Sequence, residues 1–169
     1  SIVHLGSMDW KPNIDGINWF LKYVKPNLEK SKKNIKIFIA GKNMPKTYFS
    51  QQNTKTYIQD KVKNAQDYIA NKTILFVPIF SGSGIRIKIL EAMSFGVPVV
   101  STSKGASGIP YTHKKDILIA NTPNEFENAI YRLLENENLR KKIAENGQLL
   151  IKKFFSTKVA VKKWQEILN

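Results

Sequence analysis

The sequence predicts an α/β fold: a Rossmann-like, doubly wound parallel sheet of about six strands with helices on both faces. Three observations carry this. Short runs rich in β-branched residues, such as Ile35–Ala40 and Ile74–Val77, alternate with stretches whose apolar residues recur at helical spacing. Ile74–Val77 is apolar throughout, as in a strand buried on both faces. The connections between them are short, and the turn Ser81-Gly82-Ser83-Gly84 joins a strand to a helix within a βαβ unit over residues 74–102.

In chain order, Ile2–Leu5 reads as the first strand. A loop from Gly6 to Pro12 follows, and Asn13 is expected to cap a helix with Asp15 in its first turn. Ile17, Phe20, Leu21, Val24 and Leu28 place this helix on the sheet, and Pro26 kinks or ends it. Ile35–Ala40 is the second strand, and residues 42–54 are a polar loop with room for a short helix. Thr56–Ile58 reads as a short strand, Val62–Ile69 as a helix and Ile74–Val77 as strand four. A helix is expected over Ile85–Phe95, stopped by Gly96 and Pro98. Strands five and six are Val97–Ser101 and Ile117–Ala120. Helices follow from Thr122–Asn124 to Leu134, over Leu139–Phe154, and from a Ser156 cap to Leu168.

A chain of 169 residues fits one domain with a sizeable core. Its 42% hydrophobic and 11% aromatic content excludes a mostly disordered chain. With no cysteine there are no disulfides, thiolate metal sites or cysteine nucleophile, and a reducing compartment is permitted. No apolar run reaches the ~20 residues of a membrane span. The chain opens almost directly into a strand without a basic leader, which suggests a piece of a longer protein. Lys and Arg total 27 against 13 acidic residues, a net charge of +14 that favours polyanions. The lysines are scattered, however: Lys30, Lys32 and Lys33 sit at a helix end, and Lys141, Lys142, Lys152 and Lys153 on late helix faces, as a solvated surface requires. His4 reads as a core histidine and His113 as an exposed one, and the pair has no metal-ligand spacing. No serine–histidine–acid set can be assembled. Trp10, Trp19 and Trp164 read as packing residues.

The chemistry concentrates after the fourth strand. Unpaired amides at the helix start carry the positive end of the dipole and need a cap or an anion, which a phosphate satisfies. Arg86, Lys88 and Glu91 are the only charged residues between Ile85 and Phe95, and Lys88 and Glu91 share a helix face. Either they form a surface ion pair worth ~0.2–0.5 kcal/mol, or the cations face a diphosphate and the carboxylate binds sugar hydroxyls. The Gly6 loop, the Gly84 turn and the loop Lys104-Gly105-Ala106-Ser107-Gly108 all follow strand C-termini, so they converge at the switch point of the sheet. The last of these lines a ligand pocket or is a plain connection.

The run GSGIRIKILEAMSFGVPVVST resembles the donor-binding signature of the group 1, or family 4, retaining glycosyltransferases. IVHLGSMDWKPNIDGINWF resembles the first strand, loop and helix of their C-terminal domain, and DILIANTPNEFENAIYRLLENENLRKKIAENGQLLI its later part. The resemblance implies the GT-B arrangement of two Rossmann-like domains, of which residues 1–169 are the C-terminal, nucleotide-sugar-binding one and the N-terminal acceptor domain is absent. Many members carry two glutamates eight positions apart. Here Glu91 matches the second and Ser83 stands at the first, as in a subgroup with a Gly-Ser-Gly turn and a basic helix start. The implied donor site is Gly6, Ser7, Lys11, Ser83, Gly84, Ile85, Arg86, Lys88, Glu91 and Gly105. Related enzymes often hold the diphosphate with an arginine and a lysine in the Gly6 loop. Ser7 falls at the arginine and Lys11 near the lysine, where it is equally well an exposed loop residue.

The expected reaction moves a sugar from a nucleoside diphosphate to an acceptor hydroxyl with retention, in surface polysaccharide or glycoconjugate synthesis. No cofactor or essential metal is implied, and no catalytic residue is assigned to this half. The partners implied are the nucleotide-sugar donor and, through the absent domain, a glycan or lipid-linked acceptor. The expected location is the cytoplasm, with peripheral contact to the inner face of the membrane. In the family the last helix crosses towards the other domain, so part of the apolar surface of Val159, Val161, Trp164, Ile167 and Leu168 is expected to be exposed or covered by a neighbour. Two other readings stand beside this one: a basic α/β module for nucleic acid, which has the charge but no recognition motif, and half of a sugar-nucleotide epimerase. A dinucleotide-binding domain would need a Gly-x-Gly-x-x-Gly after the first strand, where only Gly6 stands.

Overall fold

The structure, a computed structural model, describes residues 1–156. The expected last helix beyond Ser156, with Trp164, lies outside the described residues. Six strands form one all-parallel sheet: β1 (Ile2–Leu5), β2 (Ile37–Ala40), β3 (Thr56–Gln59), β4 (Ile74–Val77), β5 (Val99–Ser101) and β6 (Leu118–Ile119). Their order is β3-β2-β1-β4-β5-β6, the doubly wound order, which leaves a crevice at the C-terminal ends of β1 and β4. Ile2 pairs with Ile37 on one side and Ile74 on the other, so β1 is central and its loop opens at the switch point.

Helices cover both faces, as the fully buried, apolar strand β4 at the centre of the sheet requires. On one face α1 (Lys11–Tyr23), α2 (Lys25–Lys30) and α5 (Pro123–Glu135) bury Phe20, Leu28, Phe126 and Ile130 against Ile2, Ile37, Ile74 and Phe76. Phe20 stacks on Phe76 with ring centroids 4.1 Å apart. On the other face α3 (Ala65–Ala70) and α4 (Ile87–Ser94) bury Ile69, Ile89, Ala92 and Met93 against Val3, Leu75, Val77 and Val99. The long α6 (Glu137–Phe154) serves both cores, with Ile143 in the first and Leu150 in the second. Trp19 packs edge-on to Phe80 and Phe126, as a packing residue.

The element order follows the sequence reading, and the boundaries differ for local reasons. Helix α1 begins at Lys11 with Trp10 at its N-cap and Pro12 in its first turn, so Asn13 is inside the helix and caps nothing, and Asp15 lies past the first turn. Pro26 sits in the first turn of α2, after a break at Val24. The polar 42–54 stretch contains only a 3-10 turn, Lys46–Gln51. Helix α3 starts later than Val62, because the Asn64 side chain accepts from the amides of Gln66 and Asp67. Helix α6 starts two residues before Leu139, capped by Asn136. Thr122 caps α5 with a full capping box closed by Glu125. Helix α4 begins at Ile87 rather than Ile85, because Arg86 is held extended (φ −85°, ψ 97°) at the N-cap position.

His4 is fully buried, and its Nδ1 lies 3.1 Å from the Phe76 carbonyl oxygen. A carbonyl only accepts, so Nδ1 carries the proton. Burial, and then the nearby Lys88 charge, hold His4 well below its ordinary pKa, so the ring is neutral, and its Nε2 has no hydrogen-bond partner. His113 is exposed, and its Nδ1 accepts from the Ile119 amide at 2.9 Å.

Candidate functional site: the loops after β1 and β4

Two loops meet above the crevice. The β1–α1 loop leaves Leu5 through Gly6, whose amide donates to the Ala40 carbonyl at 3.0 Å. The β4–α4 loop runs from Pro78 to Arg86. Gly82 and Gly84 take left-handed backbone conformations there (φ +90° and +83°), which side chains rarely adopt. Arg86 fixes this turn from below. It is 7% exposed, and its Nη1 donates to the carbonyls of Ser83 (2.6 Å) and Gly84 (2.7 Å). Its guanidinium lies 4.6 Å from the Trp10 ring centre, a cation–π contact joining the two loops. A Cβ on Gly82 would come within 2.8 Å of the Trp10 ring, so the turn closes on the indole only with glycine there. Burial lowers the Arg86 pKa, yet guanidinium remains charged. Its Nε has no partner.

Lys88, in the first turn of α4, is half-buried as a residue while its ammonium is enclosed by protein. Burial, and then the neighbouring Arg86 charge, push its pKa down to about 7. Its Nζ donates to Asn13 Oδ1 at 3.1 Å. A Cβ on Gly6 would sit 2.6 Å from that Nζ and 2.7 Å from Asn13 Nδ2, so glycine at position 6 is what leaves room for the pair. Among the described residues the ion pairs are Lys11–Asp15, Lys25–Glu29, Lys33–Glu135 and Lys141–Glu137. The surface pair between Lys88 and Glu91 is therefore not made: the lysine turns inward to α1 and leaves the half-buried Glu91 on its own.

The other sequence-derived residues fall as follows. Ser83 is exposed on the turn, and Ile85 is 42% exposed beside Gly108. Ser7 Oγ donates to Asp9 Oδ2 at 3.0 Å, and Asn43 holds the same carboxylate. Lys11 points outward, 81% exposed in its side chain and paired with Asp15 at 2.7 Å. It reaches a ligand only by leaving that partner. Gly105 is buried, its amide donating to Thr102 Oγ1 at 2.8 Å, and a Cβ there would overlap Ser101 Oγ. The β5 loop packs closely onto the sheet there, while Ser103 and Lys104 before it are exposed.

The sequence reading missed Asn13 as a site residue, taking it for a cap. The signal was Pro12, which favours the first helical turn and so leaves a residue after it too deep to cap. No group of three or more His, Cys, Asp or Glu among the described residues could hold a metal ion. A separate hollow lined by Pro110, Thr112, Asn146, Leu149 and Phe154 shares no residue with these loops. The arrangement at the crevice offers open amides at the start of α4, a desolvated lysine and a nearby carboxylate. That set suits an anion attached to a hydroxyl-bearing group.

Comparison with known proteins agrees with this fold. The C-terminal domain of a group 1 glycosyl transferase, LpcC of Francisella tularensis, superposes with a TM-score of 0.74, at 17% identity, over 92% of this chain and 86% of that one. HepE of Anabaena, solved with UDP-glucose, gives 0.79 at 16% identity over 99% of this chain and 48% of that one. TarM of S. aureus, solved in one crystal with UDP and α-GlcNAc-glycerol, gives 0.78 at 20% identity over 99% and 35%. Among curated relatives, a 44.6 kDa protein of the cps region of Klebsiella pneumoniae is 26% identical over 94% of this chain and 43% of its own length. An uncharacterised glycosyltransferase of Methanocaldococcus jannaschii is 31% identical over 72% of this chain and 36% of its own. The chain thus spans less than half the length of the curated relatives it matches. The family model for glycosyl transferases group 1 matches residues 1–136, which takes in β1 through α5 and every loop of the crevice, and the chain belongs to that family.

Proposed function

We propose that residues 1–169 are one nucleotide-sugar-binding domain, the C-terminal half of a GT-B, family 4 glycosyltransferase that transfers a sugar from a nucleoside diphosphate to an acceptor hydroxyl with retention. The observation that carries the reading is the Lys88 ammonium, enclosed beside the open amides of α4 at the switch point and paired with no carboxylate among the described residues. As the sugar–phosphate bond breaks, negative charge grows on the departing diphosphate. Lys88 and the Ile87 and Lys88 amides stabilise it in place of a metal, which is electrostatic catalysis by preorganised groups. Arg86 acts from beneath by shaping the turn, and Glu91 accepts from ribose hydroxyls.

UDP is the nucleotide favoured, because HepE and TarM were solved with it. A surface polysaccharide or glycoconjugate is the proposed product. The acceptor, a glycan or lipid-linked sugar, belongs to a second domain, and Phe80, Ile85 and Ile87, the last 68% exposed, give that domain an apolar rim to pack on. No helix among the described residues is long and apolar enough to cross a membrane. A cytoplasmic enzyme with peripheral membrane contact is the proposed setting.

The test is a thermal-shift panel of nucleoside diphosphates and nucleotide-sugars on this chain. At a hundredfold excess over Kd a ligand adds about 2.7 kcal/mol, or about 5–10 °C for a domain of this size. We expect that shift with UDP and no sugar transfer by the chain alone. A response to nucleic acid only, lost in salt, supports the nucleic-acid module instead.

A further inference from the structure

Asn13 is 4% exposed and ties three parts of the crevice together. Its Nδ2 donates to the Ser7 carbonyl at 2.7 Å, and its Oδ1 accepts from Lys88 Nζ at 3.1 Å. A carbonyl can only accept and an ammonium can only donate, so the amide has one possible orientation. Gly6 is the floor of this contact, since any side chain there would strike both Asn13 and Lys88.

We propose that Asn13 is a positioning residue for donor binding: it anchors the Lys88 ammonium to the β1–α1 loop at the crevice mouth and leaves its charge unneutralised for the diphosphate. The inference rests on the donor reading above. Two physical points carry it. A free lysine side chain gives up rotamer entropy when a ligand orders it, and Asn13 orders it beforehand. A carboxylate at position 13 would serve an enclosed lysine better as a structural partner, since an unpaired buried charge is costly. A neutral amide holds the amine and spends none of its charge. The other groups facing Lys88 add no anion: His4 on β1 is neutral and Arg86 on its own loop is cationic.

The experiment is a double-mutant cycle by calorimetry with UDP and uridine as probes, on the parent chain, Asn13→Ala, Lys88→Ala and the double variant, each checked for cooperative melting. Asn13→Ala should weaken UDP about tenfold, the equivalent of about 1.4 kcal/mol, and leave uridine within about twofold. In the Lys88→Ala background the same change should cost UDP less than about twofold. A second readout needs no ligand. The 13Cε resonance of Lys88 should titrate at higher pH in Asn13→Asp than in the parent. Equal losses of UDP and uridine, full additivity with Lys88→Ala, or a Lys88 titration indifferent to residue 13 would each overturn the proposal. If the parent binds no UDP while the Lys88 titration still moves, the donor reading falls and the lysine anchor stands.

Discussion

Lys88→Ala is expected to weaken UDP binding about 100-fold while leaving uridine almost unchanged. A charge-assisted hydrogen bond is worth about 1.5–3 kcal/mol, and the Lys88 ammonium sits where desolvation favours the upper end, near 2.7 kcal/mol, about 100-fold. The pH dependence gives the claim a signature that lost packing cannot mimic. Enclosure has brought the amine down to about 7, so above that value an increasing share of the free chain holds Lys88 neutral. A bound diphosphate favours the charged form and raises that pKa. Binding should therefore take up a proton between about pH 7 and 9, and affinity should fall as pH rises through that window. The nucleotide's own phosphate titrates near pH 6, below the window. Calorimetry at pH 8 in buffers of different ionisation enthalpy reads the uptake directly, and Lys88→Ala should abolish it. For stability the sign is opposite. Between about 7 and the ordinary 10.5 the unfolded chain holds a proton that the folded one releases, so stability from this group rises with pH across that range.

Gly16→Ala is expected to destabilise the fold by about 3 kcal/mol, the upper part of the range for overpacking, although alanine is worth about 1 kcal/mol more than glycine in an open helix. A Cβ on Gly16 would overlap the carbonyl oxygen of Pro78, backbone that cannot rotate out of the way. Helix α1 lies that close to the chain leaving β4, and both loops of the crevice follow from the approach. Thermal unfolding should show a Tm lower by about 6–12 °C, at roughly 2–4 °C per kcal/mol. UDP affinity should fall too, because moving α1 carries Asn13 away from Lys88. A parent-like Tm would mean that α1 packs on β4 differently from the structure described.

Most strands and the doubly wound parallel class were legible because the strands are short apolar runs set between glycine- or polar-rich turns, although the edge strand Thr56–Gln59 alternates buried and exposed residues, and the crevice followed from three loops sharing the C-terminal edge. The helix starts were less so. Arg86 looks like a first-turn residue by sequence, yet its guanidinium finds the Ser83 and Gly84 carbonyls and holds its own backbone extended. Lys88 and Glu91 have ion-pair spacing, and the contact that displaces the pair lies 75 positions away at Asn13, beyond what local periodicity can register. The sequence leaves Gly105 either lining a pocket or in a plain connection, and its tight approach to Ser101 is a contact that only the folded sheet creates.

The central claim is that the donor diphosphate sits over the ends of β1 and β4. Backbone amide chemical shifts of the labelled chain, followed during a UDP titration, test it most directly. The account predicts that Gly6, Ser7, Ser83, Gly84, Ile87, Lys88 and Glu91 move together with one affinity. Shifts confined to Thr112, Lys115 and Asn146, around the hollow beside α6, with the Gly6 and Gly84 loops unmoved, would contradict it.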